Sequence, residues 1–252
     1  MVRIKAVLFD LGNTIIDYGP VKSGALFRES ARYSYEYLQE RYPDLMARVS
    51  YGAYFRRHYV VIRWHVLKTH LTGREFNCRP LLSRLLRSWG FDLTADELEE
   101  LTWQWYEPLA RRGVVEEDLA DHLRALREMG LQLAIVSNTF LPGATLDRHL
   151  QELGLEAFFP IRLYSSETVV RKPNPAFFEL ALERLGARAD EAMMIGDLPK
   201  IDIRGAERAG LHPVWKRSSV NGNKSVAAHV PTVHTLAEIP ELVRQRFALE
   251  GS

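Results

Sequence analysis

Short apolar runs without polar alternation are the feature that most constrains the fold of this chain. Five of them occur, at residues 4–10, 132–137, 161–165, 192–196 and 213–215. A strand with one solvated face would alternate apolar and polar residues, so these runs predict strands that are buried on both faces.

Helical patterns separate the later runs and stop at glycines. They lie at residues 117–129, 146–153, 175–185 and 203–209. Each is followed by a glycine suited to a helix C-terminus, namely Gly130, Gly154, Gly186 or Gly210. Helices that alternate with buried strands form βα units, so we predict a doubly wound α/β fold with a parallel sheet and helices on both of its faces. Residues 220–228 carry Asn and Gly and predict an exposed loop.

Composition excludes several classes of protein. The 252 residues are 46% hydrophobic and 26% charged, which is ordinary for a globular protein. A net charge of +1 provides no field that would recruit nucleic acid or anionic lipid. Cys78 is the single cysteine, so no disulfide forms within the chain, and we expect it to be buried and inert. No apolar window approaches the ~18 residues of a membrane span and no signal sequence is recognisable, so we expect a cytoplasmic protein.

The region from Gly19 to Arg112 departs from the strand and helix alternation. It has no strand-like run, its apolar residues show helical spacing, and it holds four of the five tryptophans. We therefore predict an all-helical cap domain at residues 19–113 and an α/β core domain formed by residues 1–18 and 114–252. The two connections, at 18–20 and 108–113, are expected to act as a hinge.

Polar residues stand where the predicted strands end, and ligands bind at the carboxyl ends of strands in an open parallel sheet. In chain order they are Asp10, Ser137 with Asn138, Lys172, and Asp197 with Asp202. Each one alone has an ordinary explanation, because an acid after a strand often caps a turn and a lysine before proline is usually solvated. Their recurrence at successive strand ends favours a ligand site.

These four segments together resemble the motifs of the haloacid dehalogenase superfamily of hydrolases. They read Phe9-Asp10-Leu11-Gly12-Asn13-Thr14, Val136-Ser137-Asn138, Arg171-Lys172-Pro173, and Gly196-Asp197 through Ile201-Asp202. The resemblance covers residues 1–18 and about 114–235. It implies the superfamily's α/β core with a helical cap inserted after the first motif, and it implies that the backbone carbonyl of Gly12 is a metal ligand.

The residue types fit phosphoryl transfer. A carboxylate such as Asp10 that attacks phosphorus forms an acyl phosphate and divides one difficult displacement into two easier ones. A cation must separate two anions, and Asp10, Asp197 and Asp202 offer the hard oxygen ligands that suit Mg²⁺. Lys172 adds fixed positive charge, while Ser137 and Asn138 would hydrogen-bond the phosphoryl oxygens. We therefore expect a Mg²⁺-dependent phosphatase that acts on a small phosphorylated metabolite.

Gly12 departs from the superfamily's phosphatase pattern, which usually has a second aspartate at this position to act as general acid and base. Such catalysis typically contributes 10²- to 10⁴-fold. A substrate with a good leaving group, such as an acyl phosphate, or an acid supplied by the cap would reconcile Gly12 with turnover. Two alternatives remain open: a metal-independent dehalogenase, although these do not keep the acidic pair in the form seen here, and a phosphate-binding protein that has lost turnover.

Residues 54–70 form a basic segment with two interpretations. The segment contains four Arg or Lys residues and three histidines, namely Arg56, Arg57, Arg63, Lys68, His58, His65 and His70. It is either a lid face that recruits an anionic substrate or an amphipathic helix with solvated cations, and we favour the helix. The histidines lack a matching cysteine or carboxylate pattern, so zinc is not expected.

Overall fold

The structure is a computed structural model that describes residues 2–248. Eight strands lie within that range: β1 (Val2–Arg3), β2 (Ala6–Phe9), β3 (Gln132–Ser137), β4 (Ile161–Tyr164), β5 (Ala192–Gly196), β6 (His212–Lys216), β7 (Thr232–Val233) and β8 (Phe247–Ala248). Six of them form one parallel sheet in the order β4-β3-β2-β5-β6-β7, and β1 pairs with β8 separately. The five apolar runs correspond to β2 through β6, which confirms the predicted sheet.

The side chains of the central strands alternate between two buried layers. Val7 and Phe9 of β2 join one apolar cluster, whereas Ala6 and Leu8 join another on the opposite face of the sheet. All four side chains are fully buried. The absence of polar alternation therefore reflects a sheet covered on both faces, as expected for a doubly wound fold.

Eleven α-helices are present within the described range. They are α1 (Ser23–Arg41), α2 (Pro43–Met46), α3 (Tyr51–Thr72), α4 (Cys78–Arg87), α5 (Ala95–Ala110), α6 (Leu119–Glu128), α7 (Gly143–Glu152), α8 (Ser165–Thr168), α9 (Pro175–Leu185), α10 (Arg204–Arg208) and α11 (Ile239–Arg246). Helices α6, α7 and α11 cover one face of the large sheet, and α9 and α10 cover the other. A single π-helical turn, Pro199–Ile203, leads into α10.

Helices α1 to α5 all lie between β2 and β3, in the region that the sequence predicts to be helical. The chain leaves and re-enters the α/β layer at adjacent points, because Asp17 and Val114 exchange two backbone hydrogen bonds of 2.8 and 2.9 Å. Edge-to-face aromatic contacts join the inserted helices, for example between Phe27 of α1 and Trp105 of α5. Among residues 2–248, no helix combines the length and the apolar character needed to cross a membrane.

The register brings the carboxyl ends of the central strands to one level. Phe9, the last residue of β2, pairs with Ile135 of β3 and with Ile195 of β5. The residues that follow these strands, beginning with Asp10 and Asp197, therefore meet at one edge of the sheet. Residues from three distant parts of the sequence, which follow β2, β3 and β5, are brought together there.

Candidate active site

A cavity of about 330 Å³ opens at the carboxyl ends of the central strands. All seven residues that the sequence singles out line it: Asp10, Gly12, Ser137, Asn138, Lys172, Asp197 and Asp202. Most of these side chains are buried, so the polar groups at its base are shielded from bulk water. Burial strengthens electrostatic interactions between them because the local dielectric constant is low.

Lys172 is a buried cation between two carboxylates. Its Nζ lies 2.7 Å from Asp10 Oδ1 and 2.7 Å from Asp202 Oδ1, and the side chain is 1% exposed. Burial opposes the charged form, but the adjacent carboxylates of Asp10 and Asp202 raise the pKa of Lys172 above its ordinary value. Lys172 is therefore a fixed positive charge at the base of the cavity.

Asn138 holds the backbone of Lys172. Its side-chain Nδ2 donates to the Lys172 carbonyl and its Oδ1 accepts from the Lys172 backbone N–H, both at 2.9 Å. This reciprocal pair joins the end of β3 to the loop that carries the lysine. The amide of Asn138 thus orients Lys172, a structural role that the motif alone does not reveal.

Three carboxylates converge beside Lys172. Oxygen atoms of Asp10, Asp197 and Asp202 all lie within 4.8 Å of one another. Burial, and then the charge of the neighbouring carboxylates, raises the pKa of Asp197 to about 7. Burial also raises the pKa of Asp10 to about 6, although Lys172 opposes the shift. The cluster carries more negative charge than one lysine balances, so it favours a further cation.

The donor set fits a hard divalent metal ion. It consists of carboxylate oxygens of Asp10, Asp197 and Asp202, which are ligands that Mg²⁺ prefers. The Asp202 Oδ1 atom is buried and accepts no hydrogen bond of suitable angle, although Lys172 Nζ is within ion-pair distance. A buried carboxylate oxygen without a hydrogen bond retains lone pairs for a metal ion. The chemistry and the spacing of these residues are therefore compatible with Mg²⁺.

Asp197 is hydrogen-bonded by residues in and next to a loop that the sequence predicts to be exposed. The Oδ2 atom of Asp197 accepts from Ser218 Oγ at 3.2 Å and from Asn221 Nδ2 at 3.0 Å, and Asn221 is fully buried. Trp215 Nε1 donates to the Asp197 carbonyl at 2.9 Å. The prediction of an exposed loop at 220–228 is wrong at Asn221, which is buried, and right at 220, 222–225, 227 and 228, because only the Asn221 side chain is fully buried in this segment. No sequence pattern distinguishes this asparagine from its neighbours.

Gly196 is required by the position of Asp202. A Cβ atom at residue 196 would lie 2.4 Å from both Cβ and Cγ of Asp202, which is far inside van der Waals contact. Asp202 is further fixed by the Leu198 backbone N–H, which donates to its Oδ2 at 2.9 Å. The glycine before Asp197 therefore lets the two acids of the fourth motif approach each other.

Gly12, in contrast, has room for a side chain. Its φ is not in the left-handed region, and a Cβ atom there would meet Tyr18 Cε2 at an ordinary 3.6 Å. The Tyr18 hydroxyl is hydrogen-bonded to that of Tyr106 at 2.6 Å, and the Tyr106 hydroxyl to His149 Nδ1 at 2.9 Å. Tyr18 and Tyr106 line the cavity, and neither is part of the motifs. Their hydroxyls join the first loop of the α/β layer to α5.

The basic segment forms helix α3, whose Arg56, Arg57, Arg63 and Lys68 are exposed, as favoured from the sequence. His58 is buried with its Nδ1 2.9 Å from the Tyr54 carbonyl, and burial lowers the pKa of His58 to about 4. Among the described residues the histidines of α3 belong to no cluster of metal-ligating groups.

Cys78 is 2% exposed and burial raises its pKa to about 12, as expected for an unreactive thiol.

Comparisons with known proteins agree with this geometry. The family model for haloacid dehalogenase-like hydrolases matches residues 4–210. The ribulose-1,5-bisphosphate 5-phosphatase of Halopiger xanaduensis is 30% identical, with 94% of this chain and 98% of that one aligned. The phosphoglycolate phosphatase of Pectobacterium atrosepticum is 27% identical over 61% of this chain and 66% of that one.

Two solved structures share the fold over nearly their whole length. A 2-haloacid dehalogenase from Pseudomonas syringae has a TM-score of 0.66 and 26% identity, covering 96% of this chain and 99% of that one. A haloacid dehalogenase-like phosphatase from Thermococcus onnurineus has a TM-score of 0.58 and 25% identity, covering 95% and 98%. With its four motifs gathered at one cavity and the family model matched over most of its length, this chain belongs to the haloacid dehalogenase-like hydrolases.

Proposed function

We propose that this hydrolase is a Mg²⁺-dependent phosphatase that cleaves phosphate from a small metabolite through a phosphorylated Asp10. The observation that carries the proposal is the convergence of Asp10, Asp197 and Asp202 around one buried lysine, Lys172. Such a cluster fits a divalent cation and the phosphate dianion of a substrate. The named phosphatases among the relatives support the same reaction class.

The side chains of Asp10, Asp197 and Asp202, with the backbone carbonyl of Gly12, would hold the metal ion. When bound, Mg²⁺ supplies positive charge that offsets the repulsion between carboxylate and phosphate. Ser218 and Asn221 orient Asp197 for this purpose, since partners of this kind fix the direction of a ligand.

In the first step an oxygen of Asp10 attacks phosphorus, and the bond from phosphorus to the leaving oxygen breaks. Lys172 contacts Oδ1 of Asp10 and so orients the carboxylate, leaving Oδ2 to attack. Ser137 and the charge of Lys172 stabilise the phosphoryl oxygens, and Asn138 keeps the lysine in place. The leaving oxygen takes the bonding electrons and acquires a proton from water.

In the second step water attacks the phosphorus of the acyl phosphate and the bond to Asp10 breaks. Inorganic phosphate leaves and the Asp10 carboxylate is regenerated. Gly12 provides no acid or base for either proton transfer. Substrates with good leaving groups are therefore favoured in this protein.

We also propose that residues 19–113 form a cap domain over a core domain made of residues 1–18 and 114–252. Helices α1 to α5 and the two backbone hydrogen bonds between Asp17 and Val114 support this division. Tyr18 lies at the first connection and Tyr106 lies in α5 just before the second, and both line the cavity. Opening of the cap at these connections would admit substrate, and closing would exclude water.

A metal-independent dehalogenase is the second candidate, favoured by Gly12 and by the likeness to the Pseudomonas syringae dehalogenase. The three-carboxylate cluster argues against it, because a reaction without metal has no need of the two extra acids. A phosphate-binding protein without turnover is the third candidate. One set of assays separates the three.

The experiment measures phosphate release from acetyl phosphate and from a panel of phosphate monoesters, with Mg²⁺ or with EDTA, alongside chloride release from 2-chloropropionate. We expect Mg²⁺-dependent phosphate release that Asp10→Asn abolishes, and no chloride release. Chloride release that survives EDTA would establish the dehalogenase instead. Beryllium fluoride that stabilises the protein without any turnover of phosphates would indicate the binding protein.

A further inference from the structure

A second cavity, of about 630 Å³, adjoins the one that contains the acids. Seven residues line both, and Tyr18, Asn138 and Leu141 are among them. The acids line only the smaller cavity, and the inserted helices supply much of the lining of the larger one. A substrate whose phosphate binds in the smaller cavity would therefore have its leaving group in the larger one.

The wall of this second cavity is aromatic. Phe27, Tyr59, Trp105 and Phe140 line it. Phe27 lies at the centre, with its ring edge-to-face to Tyr59 at 5.2 Å and to Trp105 at 5.5 Å between centroids. Trp105 in turn contacts Phe140 at 5.8 Å. Packed rings of this kind form a stiff apolar slot that favours a flat guest over a flexible polyol.

Arg63 is the one charged side chain among the described residues that line this cavity. Helix α3, which carries it, contains no aspartate or glutamate. Within the described part of the chain the guanidinium forms no ion pair and no hydrogen bond, and it lies over the Tyr59 ring with Cζ 5.9 Å from the centroid. Arg63 is exposed at the mouth of the slot and has no ion-pair partner among the described residues there, so its guanidinium favours a guest with an anionic group.

Gly12 restricts the leaving group independently of the cavity. A phenol has a pKa of about 10, some six units below that of water, so a phenolate departs with far less help from an acid than an alkoxide does. The aromatic slot and the missing aspartate thus select the same chemical class. The aromatic slot selects the shape of the leaving group, and the missing aspartate selects a leaving group of low basicity.

Resting on the phosphatase function proposed above, we infer that the preferred substrate is a phosphate monoester of a phenol whose ring carries a carboxylate or another anionic group. The phosphate binds at Asp10, the ring lies in the slot beside Phe27 and Trp105, and the second anion reaches Arg63. Cleavage breaks the bond between phosphorus and the phenolic oxygen. The phenolate leaves with the electron pair and takes a proton from water.

The test compares 4-carboxyphenyl phosphate with 4-carbamoylphenyl phosphate, which has the same shape but no second charge. We expect kcat/KM to be about 2- to 5-fold higher for the carboxylate, as for one ion pair with a solvent-exposed guanidinium. Arg63→Gln is expected to bring the ratio close to one. Arg56→Gln is the matched control, because Arg56 is exposed on the same helix outside the cavity lining, and it should leave the ratio unchanged.

A second variant tests the aromatic slot. Trp105→Ala is expected to raise KM for phenyl phosphate about 3- to 10-fold relative to KM for acetyl phosphate, which has no ring. Equal changes in both KM values, or a carboxylate ratio that Arg63→Gln leaves intact, would overturn the substrate class while the phosphatase function stands. If none of these compounds is hydrolysed with Mg²⁺, the phosphatase function itself fails.

Discussion

Lys172 Nζ lies 2.7 Å from Asp10 Oδ1, although 162 positions separate the two residues in the sequence. The same ammonium is 2.7 Å from Asp202 Oδ1. One buried cation thus links the first, third and fourth motifs. Removing the Lys172 ammonium would leave the carboxylates of Asp10, Asp197 and Asp202 close together without a positively charged side chain beside them.

The first prediction is that Lys172→Met lowers the rate of phosphate release by about 10²- to 10³-fold, because one stabilising charge is lost where negative charge develops. Without metal ion, the free energy of unfolding should fall by about 3–5 kcal/mol, the usual cost of breaking a buried ion pair. Phosphate assays and urea unfolding in EDTA measure the two effects. Lys200→Met, at an exposed position two residues before Asp202, is the control. Wild-type activity in Lys172→Met would contradict the assigned role.

The second prediction concerns the loop beneath Asp197. Asn221→Ala removes a 3.0 Å hydrogen bond to Asp197 Oδ2 and should weaken Mg²⁺ affinity about 10- to 100-fold, since the ligand loses its orientation. The Mg²⁺ concentration that gives half-maximal activity reports the change. Asn223→Ala, an exposed position in the same loop, should behave like wild type. The same half-maximal concentration in both variants would show that Asn221 does not position Asp197.

The third prediction is a gain of function. Gly12→Asp introduces a carboxyl group where the backbone and the 3.6 Å distance to Tyr18 leave space for a Cβ atom. Rates with alkyl phosphates should rise about 10²-fold, and rates with aryl phosphates much less, because only a poor leaving group needs a proton donor. Gly12→Ala has the same backbone but no acid and should not show the gain. Equal gains for both substrate types would refute this account of Gly12.

The fourth prediction is a pH effect from His58. Burial lowers its folded-state pKa to about 4, against 6.5 in the unfolded chain. Between these values the unfolded state binds a proton that the folded state does not, so the stability present above pH 6.5 is lost as the pH falls towards 4. This loss reaches at most about 1.4 kcal/mol per pH unit from one group.

Urea unfolding at pH 7 and pH 5 checks this prediction. His58→Phe should lose less stability than wild type between the two values, and comparison at each pH cancels the other titrating groups. His70→Phe alters an exposed histidine near the end of the same helix and should follow the wild-type curve. Identical pH dependence in all three proteins would show that His58 does not remain neutral in the fold.

The sequence by itself determined the α/β fold, because apolar runs without alternation and glycines after helices are local signals. The runs at 132–137 and 192–196 coincide with β3 and β5, and the pattern at 175–185 coincides with α9. Strands β1, β7 and β8 were not predictable, since each has two residues and so too few to show a pattern. The motifs also identified the polar residues at the base of the first cavity, because parallel strands bring their carboxyl ends together, but not Tyr18 or Tyr106, which line the same cavity.

Only the tertiary structure decided how those residues are supported and what lies around them. Asn221 is a loop residue by its sequence context but is buried against Asp197. Asn138 uses both polar atoms of its side-chain amide in hydrogen bonds to the backbone of Lys172. Phe27, Arg63 and Trp105 meet at one cavity from three different segments of the chain. Such contacts join positions far apart in sequence, and no local pattern encodes them, because they depend on how whole helices pack against the sheet and against one another.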